Sequence, residues 1–444
     1  MYKSPPSGTD LKSPATSSHR SRTPSEARNG LVSSTADARS QGGFLLRFQK
    51  VALHVLKRGV HCTKLIIPKS YGCALRETLN QEVGKAGVFN GLGTPFSIRT
   101  YPLPEVEPGA ILVRTSLATI CGSDLHRVHG RGAPTAVPSI IGHESVGRVF
   151  KLGNNVKFDA AGEKLGVGDR IVYTYFAYCG RCYYCMNKQA TLCENRLALS
   201  GGLPCDKPPH FNGAFAEYVY LRPGMAVFKA PDELSDSVLA PINCSLSTVF
   251  HGAQKIGVRA GDVVLIQGAG GLGIYAVAMA REMGASTIIV TDFVEKRLQL
   301  AKEFGADWVV NGTEFATPDS RINEVKKIAR AGVDVAFEFT GVADAFREGL
   351  GMLRKGGRYL VVGGLASNSI VQLDVSSIVL SEFRIEGNMN YEAWVLPRVL
   401  KLLSRTRGKY PYEKIVTHKL PLEKINEAFK LADSRECLRV GLET

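Results

Sequence analysis

From Gly261 onward, short uninterrupted apolar runs alternate with segments whose apolar residues recur every three or four positions. "VVLIQ" leads through "GAGGLG" into "IYAVAMAREMG". The pattern repeats through "STIIVTD", "EKRLQLAKEFGA", "DWVV", "INEVKKIARAG", "DVAFEFTG", "ADAFREGLGMLRKGG" and "RYLVVGG". Unbroken apolar runs of this length suit strands covered on both faces, and the 3.6-residue period suits the helices that cover them. Strict alternation of the two predicts an α/β unit, a doubly wound parallel sheet. Upstream, from about Lys85 to about residue 230, the pattern changes. Stretches such as "FSIRTYPLPEVEPGAILVRTSLATI" read as short strands broken by Pro and Gly, with no crossover helices between them. After about Arg384 the chain returns to mixed strand and helix pieces. The expected organisation is a β-rich unit over 85–245, completed by 385–444, around a parallel-sheet unit over 246–384, with 1–84 as an extension.

That extension carries its own pattern. Residues 1–43 are rich in Ser, Thr, Pro and Arg and hold almost nothing to bury, so they are expected to be disordered. In "FLLRFQKVALHVLKR", Phe44 to Arg58, the basic residues Arg47, Lys50, His54 and Lys57 fall on one side of a helix and aliphatics on the other. This segment reads as a mitochondrial presequence, a membrane-surface anchor or a plain solvated tail. Residues 1–70 hold twelve Lys or Arg against three acids, so they carry +9 of the formal +14. The remainder is only mildly basic, and the charge is no argument for a nucleic-acid partner. No run of 18 uncharged apolar residues is present, and no membrane span is expected. Sparse cysteine outside one cluster fits reduced thiols inside the cell. The cytoplasm is the expected location, with mitochondria the alternative if the extension is a presequence.

The glycine run has a specific place. Gly268-Ala-Gly270-Gly271-Leu272-Gly273 directly follows a buried strand and opens a helix, as a dinucleotide-binding (Rossmann) fingerprint must. The helix N-terminus offers unpaired N–H groups to a pyrophosphate. Asp292 comes 19 residues after Gly273, at the tip of the next strand, where a carboxylate accepts from both ribose hydroxyls. That charge repels a 2′-phosphate and favours NAD over NADP, although Arg297 stands close enough to weaken the preference.

Two further groups of residues suggest metal chemistry. "YCGRCYYCMNKQATLCEN" holds Cys179, Cys182, Cys185 and Cys193, four of the ten cysteines. The spacing is compatible with a redox pair, a nucleic-acid finger or a closed tetrahedral zinc site. "CGSDLH", "GHESVG" and "INCSLST" supply Cys121, His143 and Cys244, two thiolates and an imidazole, the number of protein ligands a catalytic zinc takes. Their separation in sequence cannot by itself bring them together.

Taken in this order with the fingerprint, the motifs resemble those of the zinc-containing medium-chain alcohol dehydrogenases, from about Lys85 to the C-terminus. "GHESVGRVFKLGNNV" matches the family's zinc signature and "VGDRI", Val167 to Ile171, the turn that follows. The resemblance implies a GroES-like catalytic domain beside the Rossmann domain, and two zinc ions per chain. Cys121, His143 and Cys244 would bind the catalytic ion, with Glu144 behind it and coordinating at times. Many relatives have a Glu at the position of Ala240, and its absence here shifts weight to Cys244. The cysteine cluster would hold the structural ion. Asp124 would accept from the second nitrogen of His143. Ser123 would take the substrate's proton and pass it, through the cofactor ribose, to His126. The expected substrate is a primary, secondary or polyol alcohol, and Tyr175, Phe176 and Tyr178 either border its pocket or pack as strand residues. A homodimer or homotetramer joined at the parallel sheet's edge is implied as well. Two rivals stay in view: a zinc-free quinone or enoyl reductase, which lacks these ligands, and a zinc-stabilised binding protein that has lost catalysis.

Overall fold

The computed structural model describes residues 82–132, 134–364 and 369–444. The basic helix expected at Phe44–Arg58 and the stretch 1–43 expected to be disordered lie outside the described residues.

The first strand, β1 (Val83–Phe89), pairs antiparallel with β2 (Ser97–Pro102) and with β4 (Ser139–Ile140). A larger sheet is built on β3 (Ile111–Thr119) and β5 (Glu144–Leu152), followed outward by β6 (Arg170–Tyr173) and β10 (Val227–Lys229). Strand β9 (Tyr218–Leu221) also pairs with β3. Two late strands, β17 (Val416–Pro421) and β18 (Arg439–Glu443), close the other side, with β18 antiparallel to β3. The chain therefore returns to its β-rich half at the end. A small pair, β7 (Phe176–Ala177) and β8 (Leu197–Ala198), brackets the cysteine segment.

The second half is a six-stranded parallel sheet: β11 (Val263–Gln267), β12 (Thr287–Asp292), β13 (Trp308–Asn311), β14 (Val333–Glu338), β15 (Leu353–Val361) and β16 (Arg384–Gly387). Its order is β13-β12-β11-β14-β15-β16, the doubly wound dinucleotide-binding order. The central strands are apolar on both sides, as with Val264, Leu265 and Ile266, all fully buried. Separate clusters flank the sheet. Ile266, Ile288 and Val335 point into the cluster that includes the helix Gly271–Glu282, while Leu265, Ile289 and Ala336 join Val325 and Leu350 on the other face. The fold is thus the expected α/β arrangement.

One element differs from its pattern. The helix starting at Ala343 ends at Met352, although "LRKGG" extends its period. Residues 353–357 run instead as the start of β15, and Gly356 takes φ +69°. Two adjacent glycines weaken a helix by about 2 kcal/mol together, and after an irregularity across them the strand resumes its pairing with β14 at Arg358. The loop between β5 and the Gly168 turn is held by a single carboxylate. The Asp159 carboxylate accepts from the N–H groups of Ala161, Glu163 and Lys229, folding the loop on itself and tying it to β10.

Candidate active site

The junction of β4 and β5 carries His143 and Glu144. It is preceded by Gly142 at φ +89°, where a Cβ would meet the Phe215 ring at 2.7 Å, so a side chain is excluded on two counts. Across the sheet, β3 ends at Thr119, and Cys121 caps the short helix Gly122–Val128. Cys244 arrives from elsewhere, at the N-terminus of the helix Ser245–Ile256. The fold brings these together. One ligand atom from each of Cys121, His143, Glu144 and Cys244 lies within 4.8 Å of the others. A tetrahedral zinc with thiolate bonds near 2.3 Å spaces its ligand atoms by roughly 3.8 Å, so the set fits such an ion with little movement.

The surroundings are arranged for charge. Asp124, 1% exposed, puts Oδ1 3.3 Å from His143 Nδ1 and accepts the Cys121 N–H on Oδ2 at 3.0 Å. With Nδ1 so engaged, Nε2 is the nitrogen left for a cation. Burial opposes a charged His143, but Asp124 and the Cys121 thiol outweigh it and hold its pKa well above the ordinary range. The hydrogen bond from Cys244 pulls the Cys121 thiol well down, against burial. Glu144 is fully buried, and burial pushes its carboxyl up to about 8 despite Arg439. Its Oε2 accepts from Thr119 Oγ1 at 2.6 Å and Arg439 Nη1 at 2.5 Å, while Oε1 has no partner. An orphaned buried carboxylate oxygen beside two thiols and an imidazole is what a resident cation would resolve.

Arg439 and Thr119 were not found from the sequence. Arg439 is 4% exposed, and a Cβ on Gly271 would lie 2.8 Å from its Nε. The guanidinium therefore sits between Glu144 and the start of the glycine-loop helix. The available signal was a lone arginine inside the otherwise apolar "LRVGL".

The glycine loop runs as expected from β11 into the helix Gly271–Glu282, capped by Gly270, with Leu272 in its first turn. A Cβ at Gly273 would stand 1.8 Å from the Gly268 carbonyl oxygen, so only glycine permits the close packing. Asp292 ends β12 as expected, but its carboxylate is engaged locally. Oδ2 accepts from Ala269 N at 2.6 Å, and Oδ1 from Phe293 N at 2.7 Å and Val294 N at 2.9 Å. Arg297 directs Nη2 to the carbonyls of Arg435 and Cys437, bracing the C-terminal segment.

Ser123 and His126 lie one turn apart on the helix Gly122–Val128, both partly buried. Burial and then the Arg131 charge lower the pKa of His126. Of the aromatic residues, Tyr175 packs on His143 at 4.9 Å between centroids, Phe176 is buried, and Tyr178 donates to the Tyr391 carbonyl.

Cys179, Cys182, Cys185 and Cys193 gather within the segment between β7 and β8, on a loop with a single turn of helix at Tyr183–Met186. Their sulfurs also lie within 4.8 Å of one another. The Arg181 backbone N–H draws the Cys179 thiol down to about 6. Four sulfurs at tetrahedral range with no fifth donor suit a closed structural zinc.

Comparison with known proteins follows the same outline. Residues 107–232 match the family described as alcohol dehydrogenase GroES-like domain, and residues 271–405 match that described as zinc-binding dehydrogenase. The sorbitol dehydrogenase of Bacillus subtilis is 34% identical over 349 residues, covering 77% of this chain and 92% of that protein. The chain belongs to the zinc-type medium-chain alcohol dehydrogenases. The 5-exo-hydroxycamphor dehydrogenase of Pseudomonas putida is 30% identical to this dehydrogenase, over 74% of the chain and 90% of the relative. The crystal structure of an alcohol dehydrogenase from Thermotoga maritima superposes with a TM-score of 0.77 at 34% identity, covering 82% of this chain and 99% of the other. The dehydrogenase is an oxidoreductase acting on CH–OH donors, with zinc and a nicotinamide cofactor. Among its described residues, no helix is long and apolar enough to cross a membrane.

Proposed function

We propose that this dehydrogenase oxidises a medium-sized, ring-bearing or otherwise apolar alcohol with NAD, at a zinc site formed by Cys121, His143 and Cys244 with Glu144 in reserve. The observation that carries the substrate class is the Tyr175 ring against His143, continued by contacts to Phe176 and Tyr391. An aromatic wall beside the reacting centre excludes water and offers ring faces on which an apolar substrate packs. One relative is named for a hydroxycamphor and another for sorbitol, so both classes belong in the test.

When bound, zinc would supply Lewis acidity at the alcohol oxygen, and the nicotinamide would accept the hydride. The chain's own residues do the rest. Asp124 holds the tautomer and orientation of His143. Ser123 would accept the hydroxyl proton while giving up its own, and His126, whose pKa burial lowers, would serve as the acceptor nearer the end of the same helix. Arg439 donates to Glu144 and presents positive charge at the start of the glycine-loop helix, where the phosphates would lie. Cys179, Cys182, Cys185 and Cys193 hold a structural zinc. NAD is preferred to NADP because Asp292 would face the 2′ position while Arg297 is engaged by backbone carbonyls.

The same reading divides the chain into a catalytic unit from 85 to 245, completed by 385–444, and a cofactor unit from 246 to 384. It makes the protein a cytoplasmic homodimer or homotetramer. Support comes from thiol ligand sets that require a reducing compartment, and from the unpaired edge of β16 beside exposed Val375, Val379 and Leu380. The test is NAD reduction with cyclic secondary alcohols against sorbitol. A kcat/KM at least about tenfold higher for the cyclic alcohols is expected, roughly 1.4 kcal/mol of transition-state preference. Equal or reversed values would remove the substrate assignment.

A further inference from the structure

The segment Asn388–Tyr391, which leaves the parallel sheet directly after β16, grips the helix Ser245–Ile256 along its length. Asn388 Nδ2 donates to the Thr248 carbonyl at 3.1 Å. One turn on, His251 Nδ1 lies 2.9 Å from both Asn388 Oδ1 and the Asn390 carbonyl. At the start of the helix, the Tyr391 hydroxyl donates to the Asn243 carbonyl. Asn243 continues the chain of bonds. Its Nδ2 donates to the carbonyl of His143 at 3.2 Å and lies 3.5 Å from that of Ser145. Asn243 and Tyr391 are both fully buried. The helix slides or turns only by breaking several buried hydrogen bonds at once, each costing more to leave unmade than it contributes when made.

Cys244 is the residue next to Asn243, and it is the one member of the buried ligand set contributed by this helix. A displacement of about 1.5 Å along the axis, the rise of a single residue, would carry its sulfur out of range of a cation held by Cys121 and His143. The geometry points to Tyr391 and Asn243 as positioning residues that set the distance between Cys244 and His143. They link the two ligands through the backbone of both, rather than through their side chains. This inference rests on the assignment of Cys121, His143 and Cys244 as zinc ligands. It differs from the role of Asp124, which orients one imidazole.

The test uses full-length protein loaded with Zn2+ in wild type, Tyr391→Phe and Asn243→Leu, with Cys121→Ser marking the release phase that belongs to the buried set. Release to a chelator is followed in time, and Co2+ replacement reports the thiolate charge-transfer bands of each site. Tyr391→Phe removes one oxygen and keeps the ring packing against Phe176. Release from the buried set is expected to become about 10- to 100-fold faster, with shifted Co2+ bands. The four-cysteine site serves as the internal control and should release at the wild-type rate. Asn243→Leu should show the same selective effect, larger in size. Wild-type release from both sites would overturn the inference, and so would parallel acceleration at both, which marks general destabilisation. Should Cys121→Ser leave the wild-type protein's metal content and release unchanged, the ligand assignment itself falls, and the inference with it.

Discussion

The two cysteine-containing sites reach similar geometry by opposite routes. In the segment Cys179–Cys193 all four donors come from one loop, three of them only partly buried, around a single turn of helix. In the other, the donors Cys121, His143, Glu144 and Cys244 are drawn from separate elements, and three of them are buried. In the proposed assignment, metal binding to a loop with little core contributes energy of folding. The buried set is braced by side chains of the fold itself, Asp124, Thr119 and Arg439. Local ligands brace structure, whereas dispersed ligands are placed by structure and are free to do chemistry.

That contrast can be broken by exchanging its consequences. The largest effect is expected from Cys121→Ser. Zinc content should fall from two per chain to one, and kcat/KM by about a thousandfold or more, since Lewis acidity is worth several kcal/mol. Near wild-type turnover with one zinc lost would reverse the assignment of the two sites. Cys182→Ser is the reciprocal variant. It should also lose one zinc and lower Tm by about 10 °C, the scale of losing roughly 4 kcal/mol in a large domain, while turnover of the folded fraction persists. Turnover abolished at a temperature where the protein is fully folded would assign chemistry to the lobe.

Asp124→Asn should act on the buried site alone, weakening its zinc affinity by about tenfold, as measured by chelator competition. Equal weakening at both sites would show that Asp124 supports the fold at large. The smallest effect belongs to a control remote from both sites. Glu282, at the end of the helix Gly271–Glu282, resists burial through bonds from Lys409 and Tyr410, which hold its pKa below the ordinary value. A depressed carboxylate stabilises above its unfolded pKa and loses that contribution as the pH falls through its folded one. Glu282→Gln should therefore lower Tm by about 1–3 °C at pH 7, with both zincs retained, and by progressively less as the pH falls through the folded carboxylate's pKa. A difference that does not shrink as the pH is lowered would mean packing, not charge, is at work.

Much of this was legible because the relevant physics is local. Apolar runs and 3.6-residue periods located the parallel sheet, the helices and the glycine loop, since backbone hydrogen bonding and burial act over a few residues. The four lobe cysteines were legible for the same reason. Cys121, His143 and Cys244 were reached through resemblance, because nothing in their spacing predicts convergence. Arg439, Thr119, Asn243 and Tyr391 were missed. Their roles exist only in contacts across 25 to 295 residues, and although Asn243 lies in "INCSLST", that motif singles out Cys244 and not its neighbour. Asp292 was placed correctly, but its bonds to Ala269, Phe293 and Val294 depend on loop geometry that a spacing rule does not contain. The early end of the helix at Met352 shows periodicity yielding to a glycine pair.

The pairing of Glu144 with Arg439 spans 295 residues, and this sets an order in time. Synthesis at about 5–20 residues per second separates the two by roughly 15 to 60 seconds. For that interval the β-rich half exists without β17 and β18, and without the guanidinium that Glu144 meets in the finished fold. The dispersed set of side chains is therefore completed only when the last strand is delivered, whereas the four-cysteine loop is whole once Cys193 has been added.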